Sequence, residues 1–151
     1  MNIVDWLLQT NSGVAGLLLR ITLAIVIFPH GAQKALGWFG GHGFKGTMKY
    51  FTSTGIPAIF ASLAIAAEFL GPLGLAVGLL TRIAAFGIAC VMVVAIITVH
   101  LPHGFFMDWN RDQKGEGFEY HLLALGIAIT LMIVGAGVWS LDGVLSNRSI
   151  R

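Results

Sequence analysis

Ala58-Ile-Phe-Ala-Ser-Leu-Ala-Ile-Ala-Ala-Glu68-Phe-Leu-Gly-Pro-Leu-Gly-Leu-Ala-Val-Gly-Leu-Leu80 holds a single ionisable side chain, Glu68, in an otherwise apolar run. A bilayer core about 30 Å thick needs about 20 helical residues at 1.5 Å rise each, and this run is long enough. A charged side chain near the bilayer centre costs roughly 2.5–3.5 kcal/mol on insertion scales. Glu68 therefore needs a partner, a shifted proton affinity or a task. Arg20, His30 and Lys34, all in the preceding apolar stretch, are the candidates to meet it.

Three more windows resemble this one, so the expected spans are roughly 13–38, 58–80, 82–101 and 120–139. Alternation of period two is absent, which removes a closed barrel as the other lipid-compatible solution. The expected fold is all-α: a single-domain integral membrane protein, an antiparallel four-helix bundle. A short interfacial helix is expected over 44–51, between helices one and two, before Gly55-Ile56-Pro57 starts helix two. Helices two and three meet almost directly around Thr81-Arg82, as a tight hairpin.

Composition points the same way. The 151 residues are 56% hydrophobic and 11% charged, against about 25% charged in soluble domains. The net charge of +2 is scattered, without the basic stripe of a nucleic-acid binder. Cys90 is the single cysteine, which excludes an internal disulfide, a CxxC pair or a cysteine-held cluster within the chain. The N-terminus lacks a basic n-region, so the first run is expected to stay as a helix. An even number of spans puts both termini on one face. The basic tail with Arg148 and Arg151 assigns that face to the cytoplasm.

Local signals suggest a polar pocket. Pro72 removes the amide that would bond the carbonyl of Glu68, and Pro29 does the same for Ile25, next to His30. Gly74 and Gly78 form a G-x-x-x-G pair suited to close helix approach. Counted from the loop face, Glu68 lies about 15 Å deep, His30 about 12 Å and Lys34 about 6 Å. Helix three ends there with His100-Leu-Pro-His103 and helix four begins with Glu119-Tyr120-His121. Arg20 starts some 12 Å from Glu68 in depth, too far for a simple counter-ion.

A buried carboxylate with a nearby histidine suits proton transfer. With Phe28, Trp38, Phe39 and Phe69 as lining, it also suits a quinone headgroup. In that reading Glu68 and His30 exchange protons, Lys34 and Gln33 orient the carbonyls, and His100, Glu119 and Tyr120 line the mouth. Metal ligation has enough His and Glu nearby but no standard zinc spacing. Haem ligation by His30 and His100 suffers from their different depths. No tightly bound cofactor is evident. The rival classes are a scaffold that recruits redox enzymes through the two long loops and a small proton or solute transporter.

These residues resemble the DoxX family of small bacterial membrane proteins over nearly the whole chain. The similar segments are Leu19-Arg20, Phe28-Pro-His30-Gly31-Ala-Gln33-Lys34, Gly37-Trp-Phe-Gly-Gly41, Gly55-Ile-Pro57, Glu68-Phe-Leu-Gly71, Gly78-Leu-Leu-Thr81-Arg82, Val99-His100 and Phe118-Glu119-Tyr120. His42 departs from the family's glycine or proline. The resemblance implies a four-helix protein of the bacterial inner membrane, linked to oxidoreductase assemblies that handle thiols, thiosulfate or oxidative stress and to quinone. It also implies a partner redox subunit, and a homo-oligomer is compatible with it. Arg20 enters the candidate substrate-binding set on the same basis.

Overall fold

The computed structural model describes residues 3–11, 13–111 and 113–149, with side chains through 146; Arg151 and the side chain of Arg148 lie outside the described residues. The elements are α1 (Ile3–Leu8), α2 (Val14–Ala35), α3 (Gly43–Ser53), α4 (Ala58–Val77), α5 (Thr81–Ala95), α6 (Glu119–Val134) and α7 (Leu141–Ser149). A π turn (Ile96–His100) and a 3-10 turn (Leu101–His103) extend α5. Among the described residues there is no strand. Three helical stretches, Val14–Ala35, Ala58–Val77 and Thr81–His103, are long and apolar enough to cross a membrane.

Helix α2 packs on α4, α4 on α5, α5 on α6, and α6 closes back on α2. Leu23, Ile27, Leu75, Ile88, Ala128 and Leu131 form the centre of the core. On the outside, Ile25, Leu63, Leu70, Phe86, Leu123 and Ile133 remain exposed. Helices apolar on both faces belong in lipid. Trp6 and Trp139 at one end and Trp38 and Trp109 at the other are all exposed, as interfacial belts require.

The α4–α5 hairpin turns within residues 78–80. Gly78 takes φ 67°, and Leu79 N–H donates to the Gly74 carbonyl at 2.9 Å, closing the helix end. Gly74 and Gly78 thus terminate a helix and also allow close approach: a Cβ on Gly74 would stand 3.8 Å from the Ala84 Cβ of α5, and one on Gly78 would stand 2.5 Å from the Ser140 Cβ. The fourth apolar helix is also shorter than expected. It stops at Val134 because Gly135 and Gly137 adopt φ of 78° and 76°, which turns the backbone carbonyls of the next segment inward.

Those carbonyls meet Arg20. Its guanidinium is 1% exposed and donates to Leu75 O at 2.9 Å, Ala76 O at 2.6 Å, Ala136 O at 3.0 Å, Val138 O at 3.3 Å and Trp139 O at 2.7 Å. The cation sits at the negative, C-terminal end of α4. Arg82 does the same for α6 through the carbonyls of Met132 and Ile133, while lying 4.8 Å over the Trp6 ring. Asp142 complements the other sign: its carboxylate accepts from Leu80 N at 2.7 Å and Thr81 N at 2.9 Å, at the start of α5. The first and last helices, α1 and α7, are in contact beside this charged plate.

Candidate functional site

At the opposite end the sequence builds something less saturated. Pro72 lies inside α4 and deprives the Glu68 carbonyl of its helical amide. Gly31 of α2 fills the space beside it: a Cβ there would strike the Glu68 carbonyl and stand 2.7 Å from Phe69 Cα. A proline and a glycine on different helices thus bring two backbones into contact at Glu68. Lys34, three residues beyond Gly31 and on the same face, reaches Glu68 Oε2 in an ion pair. Glu68 is 3% exposed. The Thr47 hydroxyl of α3 donates to the Lys34 carbonyl at 3.3 Å, so α3 braces the lysine from above.

Around this pair stand four polar rings. His30 is exposed on the flank of α2, its ring centroid 6.2 Å from that of Tyr120. Tyr120 lies within electrostatic range of Glu68, and its ring is edge-on to His121 at 5.1 Å. His121, 8% exposed, lies against His100 with centroids 3.9 Å apart and ring planes tilted by 37°. His100 in turn uses Nδ1 against the Glu116 carbonyl at 2.8 Å. The Tyr120 hydroxyl and His121 Nδ1 are buried with no hydrogen-bond partner among the described residues.

The π turn explains the position of His100. Eight residues of uninterrupted α-helix would carry it about 80° past Met92, which is buried in the core. The extra residue of a π turn sets it back by about 100°, so it points near the inner face instead. Without that turn the two histidines would not meet.

The candidate residues therefore divide. The structure brings together Glu68, Lys34, His30, Tyr120 and His100. Gln33 is spent on the Phe39 carbonyl at 3.2 Å, and Glu119 accepts from Met107 N at 2.9 Å and Trp109 Nε1 at 3.3 Å, holding the 104–118 loop. Arg20 is not part of this cluster; its donors serve the far plate. The best-formed clefts also lie elsewhere, one of about 600 Å³ along Thr10, Val77 and Gly137–Leu141 and one of about 300 Å³ beside His42, Lys49 and Tyr50. The open pocket expected above Glu68 is instead covered by Lys34. Sequence reading placed His121 at the loop face but not in the site; its adjacency to Tyr120 in the first turn of α6 was the available signal. Among the described residues, no three His, Cys, Asp or Glu converge on a metal position.

An all-helical chain with apolar faces turned outward and a buried ion pair between two long helices is a multi-pass membrane protein. It belongs to the DoxX family, whose model matches residues 15–101. That match holds Arg20, His30, Lys34, Glu68 and His100 and stops before Tyr120 and His121. "Putative oxidoreductase CatD" of Bacillus subtilis (strain 168) is 33% identical over 118 residues, 78% of each chain. "Inner membrane protein YqjF" of Escherichia coli (strain K12) is 30% identical over 112 residues, 74% of this chain and 82% of its own. An uncharacterized protein of Haemophilus influenzae is 31% identical over 140 residues, 91% of this chain and 87% of its own. No solved structure matches.

Proposed function

We propose that this chain is a quinone-binding membrane subunit of an oxidoreductase in the bacterial inner membrane. In this reading α2, α4, α5 and α6 cross the bilayer as an antiparallel four-helix bundle, α3 lies in the interface, and both termini face the cytoplasm. Helix α6 alone covers about 24 Å at 1.5 Å per residue, and in this reading the 135–140 segment would carry the chain the rest of the way across. Two of these relatives are named as a "Putative oxidoreductase" and an "Inner membrane protein", in keeping with this class and place.

The observation that carries the reading is His30. A histidine exposed on an otherwise apolar flank, about 8 Å from the end of α2, is expensive in hydrocarbon unless a ligand bonds to it. It stands beside Tyr120 and the buried Glu68–Lys34 pair. A lipid-dissolved quinone reaches such a group sideways from the bilayer. Two electrons from a partner subunit and two protons relayed through His30 and Glu68 convert it to the quinol, with Lys34 returning to Glu68 as counter-ion after each transfer.

The layer between Glu68 and Arg20 consists of Leu23, Ile27, Leu75, Ile88 and Leu131, all buried and apolar. That floor supports a one-sided site over a passage for protons or solutes. The test is quinone binding and quinone-dependent electron transfer in native membranes carrying Glu68→Gln or His30→Ala. Both activities are expected to drop by at least tenfold. Unchanged values in both variants would refute the reading and favour a recruiting scaffold.

A further inference from the structure

The residues first suited to orient the headgroup, Lys34 and Gln33, are both engaged: one with Glu68, the other with the Phe39 carbonyl. Polar atoms that remain free lie one helix away. His121 is more than nine-tenths buried, yet its Nδ1 has no partner among the described residues, and the neighbouring Tyr120 hydroxyl is likewise buried and unbonded. Thr81 Oγ1 and Arg82 Nε at the far plate are also buried without a partner among the described residues, but there the rest of the Arg82 guanidinium bonds the carbonyls of Gln9, Met132 and Ile133. The Tyr120 hydroxyl is that side chain's only polar group, and a buried group left unpaired costs its full desolvation. Such groups persist where something else supplies the bond.

We propose that Tyr120 Oη and His121 Nδ1 are the anchors of the quinone headgroup oxygen, an inference that rests on the quinone reading above. The chemistry of these two groups fits better than a lysine would. A phenol and an imidazole each donate or accept according to rotor and tautomer, whereas an ammonium only donates. They can donate to the carbonyl oxygen of a quinone and, with the proton on the other imidazole nitrogen, accept from the hydroxyl of a quinol. One site then holds both oxidation states. His100, in tilted contact with His121 at 3.9 Å and tied by Nδ1 to the Glu116 carbonyl, buttresses the His121 imidazole. The π turn that delivers His100 is thereby a positioning element of the headgroup site.

The test uses the purified full chain in lipid nanodiscs, with decylubiquinone and menadione as probes and Kd and thermal unfolding as readouts. Tyr120→Phe removes one oxygen and leaves the ring. It should unfold at or above the wild-type temperature without ligand, because an unpaired hydroxyl has gone, yet bind the probe about tenfold more weakly, the loss of one hydrogen bond. His121→Phe should lose binding further, and His121→Asn, which keeps a polar group near the Nδ1 position, should recover part of it. Wild-type affinity in both Tyr120→Phe and His121→Phe overturns the proposal. If Glu68→Gln still weakens binding in that case, the quinone reading itself stands. If the wild-type chain binds neither probe, both readings fall together.

Discussion

Glu68 and Lys34 allow a quantitative test, because their exposures differ. The Glu68 side chain is 4% exposed and that of Lys34 is 30% exposed. Lys34→Met strands a carboxylate with almost no access to water. Breaking a buried pair from one side typically costs about 3–5 kcal/mol, and this case belongs near that range. Glu68→Gln strands instead a lysine that already reaches solvent and can swing its ammonium outward along its own stem. Its cost should be about 1–2 kcal/mol, the scale of one hydrogen bond to a charged group. The double variant Lys34→Met/Glu68→Gln leaves no uncompensated charge and should recover most of the Lys34→Met loss. The coupling from the cycle is then about 3 kcal/mol or more, at the top of the usual range. Reversible unfolding in bicelles or by mixed-micelle titration at fixed pH and salt reads all four corners. Equal costs for the two single variants, or a double variant as unstable as Lys34→Met, would refute the account of Glu68 as the buried member of the pair.

The glycine contact and the arginine plate give two further tests. Gly31→Ala must move α2 away from Phe69 by at least about 0.7 Å, from 2.7 Å to the 3.4 Å of ordinary contact, and further still at the Glu68 carbonyl. Since the obstacle is backbone, a loss of about 3 kcal/mol or more is expected, at the upper end of overpacking; thermal unfolding near the wild-type temperature would disprove the contact. Arg20→Met leaves five buried carbonyls without their donor and should cost at least about 3 kcal/mol. Arg20→Lys, with one ammonium for a fork of donors, should recover less than half of it. Solubilised protein followed by fluorescence-detected size exclusion after heating separates these outcomes, and quinone affinity measured below the unfolding range should not change.

The long helices were legible because length and apolarity alone decide them. Counting rise brought His30 and Lys34 towards Glu68 but put His30 nearer in depth; the ion pair forms with Lys34, whose long stem spans the difference. The helix ends were not legible. Whether α6 stops at Val134 or runs on to Trp139 depends on the 135–139 carbonyls turning toward Arg20, a residue more than a hundred positions away. Gly74 and Gly78, read from their spacing as a helix contact, also close a turn, while the close backbone approach at Glu68 falls on Gly31, which has no glycine at that spacing in its own helix. Its meaning comes from Pro72 across the interface. The π turn at Ile96–His100 contains neither proline nor glycine, so nothing local announced it. Asp142 was invisible for the same reason: its role at the start of α5 exists only once α7 folds back.

The two ends of the assembly obey opposite rules, and that contrast bears on direction. At the plate, Arg20, Arg82 and Asp142 each meet the helix end of opposite partial charge. Most of their hydrogen-bonding capacity is spent on backbone. At the other end, Tyr120 Oη and His121 Nδ1 are unspent and His30 is turned outward. A protein that moved a solute across the membrane would need both ends to open, and opening the plate would break five bonds at Arg20 alone. A protein that exchanges a lipid-soluble ligand needs only one adaptable end, anchored by a rigid one. Under the proposed quinone reading the outward-turned His30 marks the end where ligand would exchange, and the arginine-held plate is the end that would stay fixed.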